Sequence, residues 1–262
     1  MKNIVVFFVL AAALFLSACS GGPAPEKTDL LPAPGTFAYE FPDRLFRHEV
    51  LNLLNELDGG SRNASSEISA QDYMYMASLD KLDVSGFNLR FMSLMNLEFV
   101  YGKGYGITKL KGIEYFTSLK ELDCPNNQIK ELDLSKNTEL KYLYCNYNKL
   151  EKLDLTHNPA LEVLVCQENY LSELNLSKNS LLKELVVESN RLTELDVSNN
   201  TMLSVIKCYD NKLTKLDLSK NTALEELDCT LNNIESKANV VGLREGVKFS
   251  FELQWLDFIA AK

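Results

Sequence analysis

Five cysteines recur at one position of a repeating text: Cys124, Cys145, Cys166, Cys208 and Cys229, spaced by 21 residues or by twice that. Thiols at fixed spacing offer three chemistries. Disulfides need close Cα atoms and side chains that point at each other; five is an odd number, and neighbouring inward side chains would have to tilt together. A thiolate metal centre needs ligands that converge on a point, whereas a column spreads them along a line. The third reading is a stack of small buried hydrophobes. Val187 stands where the missing cysteine of the series would be. Valine replaces a packing group but not a metal ligand. The five are therefore read as inert buried thiols, and burial lets free thiols persist outside a reducing compartment.

A second row of chemistry-bearing residues is Asp133, Asp154, Asn175, Asp196 and Asp217. Stacked carboxylates attract calcium; hydrogen bonds to the following turn are the simpler use, with Lys136, Lys178 and Lys220 three residues on. Acid–base catalysis needs two groups that converge in different environments. Here carboxylates return once per repeat, which is a periodic feature and not a unique site. The two histidines, His48 and His157, have no candidate nucleophile beside them in sequence. No catalytic residue, metal ligand or cofactor is assigned, and the chain is read as a non-enzyme.

The elements that position these rows follow from the period. From Leu119 the text runs LKELDCPNNQIKELDLSKNTE, LKYLYCNYNKLEKLDLTHNPA, LEVLVCQENYLSELNLSKNSL, LKELVVESNRLTELDVSNNTM and LSVIKCYDNKLTKLDLSKNTA, then begins again with LEELDCTLNNI. One 21-residue coil cannot bury its own leucines, but stacked coils can. Stacking makes parallel strands about 4.8 Å apart, with side chains alternating inward and outward. Leu122 and Cys124 should point in, Glu121 and Asp123 out. The invariant Asn127, Asn148, Asn169, Asn190, Asn211 and Asn232 fall where the chain leaves each strand. Their amides are placed to satisfy backbone groups in their own turn and in the neighbouring one. Leu132, Leu134 and their equivalents close the other side of the coil.

The pattern L-x-x-L-x-L-x-x-N-x-L resembles the leucine-rich repeat. A 21-residue repeat carrying this cysteine resembles, more narrowly, the internalin subclass with a cysteine ladder; the regular match covers residues 107–234. No wall-sorting signal, wall-spanning spacer or immunoglobulin-like domain is recognised after the repeats. The resemblance implies a leucine-rich repeat solenoid of parallel β rungs, with short extended or 3₁₀ convex segments. It also implies a concave face for recognition. A small helical N-terminal cap and a β C-terminal cap are expected to close the ends.

Residues 1–18 read as a signal peptide: a basic start, the apolar run IVVFFVLAAALFL, then Leu16-Ser17-Ala18-Cys19. The ending resembles a bacterial lipobox, which implies cleavage before Cys19, acylation of its thiol and a lipid anchor in the cell envelope, at the outer membrane or cell surface if there are two membranes. Residues 19–42 are proline-rich and are expected to be a tether; 43–78 form the helical cap, with helices from Asp43 and from Ser69, where Asp72 completes a capping box. Residues 79–118 are expected to hold two or three irregular rungs, 119–234 the regular repeats and 235–262 the C-terminal cap, including a strand over 240–259 in which Val247, Phe249, Phe251, Leu253 and Trp255 alternate.

The chain carries 27 basic and 36 acidic residues, a net charge of −9, and no basic run, which argues against a nucleic acid as partner. Reading the outward columns, Tyr142, Tyr144, Val163, Val165, Val186 and Val205 should be contiguous, with Tyr147, Tyr170 and Tyr209 at the following loop edge. An apolar and tyrosine patch between acidic first and last rungs has the composition of an interaction surface, although cross-strand packing also favours such residues. The expected partner is a protein or glycan bound by a monomer on the concave face, in an adhesin-like role. The competing reading is a structural or assembly role inside the envelope.

Overall fold

The computed structural model describes residues 32–85 and 106–251. The signal peptide, Cys19 and most of the tether therefore lie outside the described residues, as do Leu253 and Trp255 of the expected terminal strand.

The folded body starts before residue 43. Phe37–Glu40 form a single helical turn (α1), and Phe37 and Phe41 are fully buried. The reading of 19–42 as tether thus runs too far: two phenylalanines five residues before and one before Pro42 are core, which a spacer cannot be. Asp43 caps the helix Arg44–Asp58 (α2) by accepting from the N–H groups of Leu45 and Phe46. Phe46, Val50 and Leu54 on one face of α2 are buried. Ala70–Ser78 (α3) opens with the capping box of Ser69 and Asp72. Between these helices Arg62 ties Asp58 to Asp72, each at 2.6 Å. The second oxygen of Asp43 accepts from Thr108 N–H and Oγ1, both at 2.7 Å, and so pins the cap to the first coil.

Among the described residues ten short strands follow: β1 (Lys81–Asp83), β2 (Glu121–Asp123), β3 (Tyr142–Tyr144), β4 (Val163–Val165), β5 (Glu184–Val186), β6 (Val205–Lys207), β7 (Leu216–Asp217), β8 (Glu226–Asp228), β9 (Val240–Val241) and β10 (Lys248–Ser250). Eight form one parallel sheet in the order β1-β2-β3-β4-β5-β6-β8-β10; β7 and β9 pair on the return side. Equal offsets in the repeat become partners across strands: Leu122, Leu143, Leu164, Leu185, Ile206 and Leu227 are aligned and fully buried. The inward and outward alternation is as the sequence predicts.

The asparagine ladder links the coils. Asn148 donates from Nδ2 to the carbonyls of Cys124 and Cys145 and accepts on Oδ1 from Ile129 N–H; Asn169, Asn190, Asn211 and Asn232 repeat the arrangement. A second ladder escaped the sequence reading. Asn137, Asn158, Asn179, Asn200 and Asn221 are also buried, and each donates to two carbonyls of the preceding coil. The residue before each Asn of the first ladder is left-handed, including Tyr147 (φ 55°) and Leu231 (φ 50°).

One expectation for the ends needs correction, and another falls largely outside the described residues: of 79–118, where two or three irregular rungs are expected, residues 86–105 are not described. β1 pairs directly with β2, and Ile107 N–H meets Asn127 as Ile129 N–H meets Asn148. Segment 106–118, with its 3₁₀ turn at Ile113–Tyr115, is therefore the return half of the coil that β1 opens. At the other end, 240–259 is not one strand. β9 belongs to the return side and β10 to the long sheet, because the chain turns at Gly242 and Gly246, both left-handed. The alternation of Val247, Phe249 and Phe251 marks a further rung, not a strand laid over the stack.

Candidate functional site

The outward face of the long sheet is built by register alone. Tyr142 lies between Glu121 and Val163, and Tyr144 between Asp123 and Val165. Val165 faces Val186, and Val205 lies between Glu184 and Glu226. Tyr142, Tyr144, Val163, Val165 and Val205 are half-buried, each shielded by its neighbours across the strands. Val186 departs from the expectation of an exposed residue: 7% of its surface is accessible, because it sits between Val165 and the aliphatic stem of Lys207.

The three loop-edge tyrosines occupy three different columns. Tyr147 is the left-handed residue of its coil, Tyr170 follows an asparagine of the first ladder, and Tyr209 follows Cys208. Tyr147 and Tyr170, 42% and 41% exposed, line a shallow groove of about 440 Å³ together with Lys149, Glu168, Arg191 and Asp210. The Arg191 guanidinium lies over the Tyr170 ring at 4.5 Å. Tyr209 is half-buried and does not line this groove. The structure thus gathers an apolar sheet patch and a tyrosine groove beside it. Lys149 and Arg191 were missed from sequence because they are variable members of a polar column.

Charge is unevenly paired along the face. Lys81 holds Glu121 at 2.6 Å and Asp123 at 3.1 Å on the first rungs. Lys248 and Lys207 approach Glu226 at 2.9 and 4.0 Å on the last ones. In the middle, Glu184 and Glu188 are half-buried, and among the described residues neither has an ion pair or a side-chain hydrogen bond. Burial pushes the Glu188 carboxyl up; Lys207 opposes this, while Asp228 and Glu168 add to it. The Tyr144 hydroxyl is also pushed up, by burial first and then by Glu121, Asp123 and Glu184.

The other rows are structural. All five cysteines of the column are buried, and none is joined in a disulfide. Burial raises their thiols, Cys145 to about 12, so they are not nucleophiles. The aspartate row spends its oxygens locally: Asp133, Asp154, Asp196 and Asp217 accept from the N–H two residues on, as does Asn175. His48 lies beside Asn52 on α2, and His157 beside Thr156, both exposed. Among the described residues no helix is long and apolar enough to cross a membrane, and no cluster of three or more His, Cys, Asp or Glu is arranged around a metal.

A stacked sheet, two asparagine ladders and an in-register cysteine column define a leucine-rich-repeat solenoid. A family model described as Leucine Rich repeats (2 copies) matches residues 117–157. No curated protein matches. Among solved structures, the functional domain of InlJ from Listeria monocytogenes, described as including a cysteine ladder, is similar at 32% identity and a TM-score of 0.61. That alignment covers 87% of this chain and 49% of the InlJ domain, so the chain spans about half its length. Internalin C2 of the same organism aligns at 19% identity over 86% of this chain and 100% of its own, with a TM-score of 0.56. A leucine-rich-repeat protein of Leptospira interrogans aligns at 23% identity over 64% of this chain and 47% of its own, with a TM-score of 0.51. The chain has the leucine-rich-repeat fold and is similar to the cysteine-ladder domain of InlJ.

Proposed function

We propose that this chain is a non-catalytic recognition protein of the bacterial envelope, anchored through an acylated Cys19. It binds a macromolecular partner, as a monomer, on the outward face of its long sheet. The observation that carries the reading is the run of outward apolar residues Tyr142, Tyr144, Val163, Val165, Val186 and Val205 on strands held in register. Solvent-facing positions of a repeat stack tolerate charge, and apolar side chains there gain by being covered. Tyr147, Tyr170 and Tyr209 extend the surface with rings that combine apolar area and a polar tip. A solenoid suits this work because its rigid rungs present many side chains with little ordering cost on binding.

The test pairs binding with stability. Tyr144→Asp and Val165→Asp should abolish a measured partner interaction while the melting temperature stays nearly unchanged. Retained binding in both variants rejects the surface. For the anchor, Cys19→Ser should stop incorporation of labelled fatty acid and release the protein from the membrane fraction. Protease shaving of intact cells should remove the repeat domain if it faces outward.

A further inference from the structure

We infer that the partner surface takes a cationic, partly apolar segment of another protein, with its basic side chains received by Glu184 and Glu188 on either side of Val186. This rests on the reading of the sheet face as the binding surface and adds the chemistry of its partner.

Among the described residues, charge is left unpaired on the middle rungs. Glu121 and Asp123 near the first rung and Glu226 near the last are answered by Lys81, Lys207 and Lys248. Glu184 stands in register between two valines, Val163 and Val205. Glu188 lies two residues beyond Val186, desolvated and in the field of Asp228 and Glu168, with only Lys207 acting against them. A half-buried carboxylate loses hydration and gains nothing in return unless a cation arrives. The negative field reaches across the patch, since Tyr144 is acted on by Glu121, Asp123 and Glu184 against Lys81 alone.

Val163, Val165 and Val205 provide the aliphatic floor that a Lys or Arg stem covers while its head reaches a carboxylate. A neutral glycan would leave both acids unanswered. An acidic peptide or a nucleic acid would add repulsion to them, in a chain whose net charge is already −9. The complementary surface is therefore basic at its charged positions and apolar between them.

The experiment selects binders without assuming one. The full chain is immobilised and challenged with a phage-displayed library of random peptides and, in parallel, with an array of neutral and charged glycans. Three variants accompany it: Val165→Asp, the pair Glu184→Gln and Glu188→Gln, and the pair Glu184→Lys and Glu188→Lys. Thermal melting confirms that each remains folded. The expected result is selection of peptides rich in Lys or Arg together with apolar residues. Their affinity should fall roughly tenfold or more in the Gln pair, with a flatter salt dependence, and the Lys pair should select acidic peptides instead. Peptides without basic enrichment that are nonetheless lost in Val165→Asp overturn the cationic partner and leave the binding face standing. Peptides retained by Val165→Asp overturn the binding face itself. Glycans bound in place of peptides, and lost in Val165→Asp, overturn the protein class of the partner.

Discussion

The side-chain amide of Asn148 donates to the carbonyl of Cys124, one coil earlier, at 2.9 Å. Its oxygen accepts the N–H of Ile129, also one coil earlier, at 3.0 Å. One buried residue therefore closes backbone groups that the turn of the chain would leave unpaired, and it fixes the offset between neighbouring coils.

Replacing Asn148 by Ala leaves the N–H of Ile129 and the carbonyl of Cys124 buried without that partner. Stability should fall by about 3 kcal/mol in a urea titration. Asp154→Ala, which removes only an exposed local turn contact, should leave the midpoint almost unmoved. Equal effects from the two variants would remove the ladder as the source of register.

The cysteine column makes stability depend on alkaline pH. A thiol ionises near 9 when exposed in the unfolded chain, and burial pushes Cys145 up to about 12. Above pH 9 the unfolded state releases a proton that the folded state keeps, so stability falls as pH rises through this window. The loss is about 1.4 kcal/mol per pH unit for each such thiol. Cys145→Val should match the wild type near pH 7 and become progressively more stable relative to it between pH 9 and 12. Parallel pH curves would show that the thiol is not buried.

Tyr147 combines an exposed ring with a left-handed backbone (φ 55°) that a bulky side chain adopts at a cost. Tyr147→Asn should stabilise the fold by about 1 kcal/mol. If the groove takes part in binding, the same variant should weaken the partner interaction. A variant neither more stable nor weaker in binding would place Tyr147 outside both roles.

Asp43 serves two elements at once. Its oxygens cap α2 and accept from Thr108 and Lys109 at the start of the return segment. Asp43→Ala should cost about 2 kcal/mol and loosen the cap. Burial raises its carboxyl, but the hydrogen bonds from Thr108, Phe46 and Leu45 outweigh it, and the net shift is below the usual 3.8. The contribution is complete above that value and disappears as pH falls through the lower folded one. Hydrogen exchange at Thr108 and Lys109 in acid would report it, and unchanged protection in Asp43→Ala would reject the link.

Much of this architecture was readable because a fixed period turns text into rows. The inward leucines, the cysteine column and the first asparagine ladder sit at constant offsets, and constant offsets in register become straight lines across strands. The capping box at Ser69 and Asp72 was readable for the same kind of reason, since it depends on contacts three residues apart. The second ladder, Asn137 to Asn221, had an equally regular signal and went unnoticed in a column that looked like turn polarity. The left-handed position had no signal, because Asn126, Tyr147, Glu168, Ser189, Asp210 and Leu231 share no residue type and include no glycine.

The sequence by itself determined the repeat length, which side chains face inward and which columns run outward, because these follow from one periodicity and the alternation of a strand. Tertiary structure alone decided that β1 pairs with β2, that Val186 is shielded while Tyr147 and Tyr170 open onto a groove, and that Glu184 and Glu188 stand without an ion pair among the described residues. Exposure and charge pairing depend on which neighbours from other coils crowd each residue, and that information is carried by packing, not by position in a repeat.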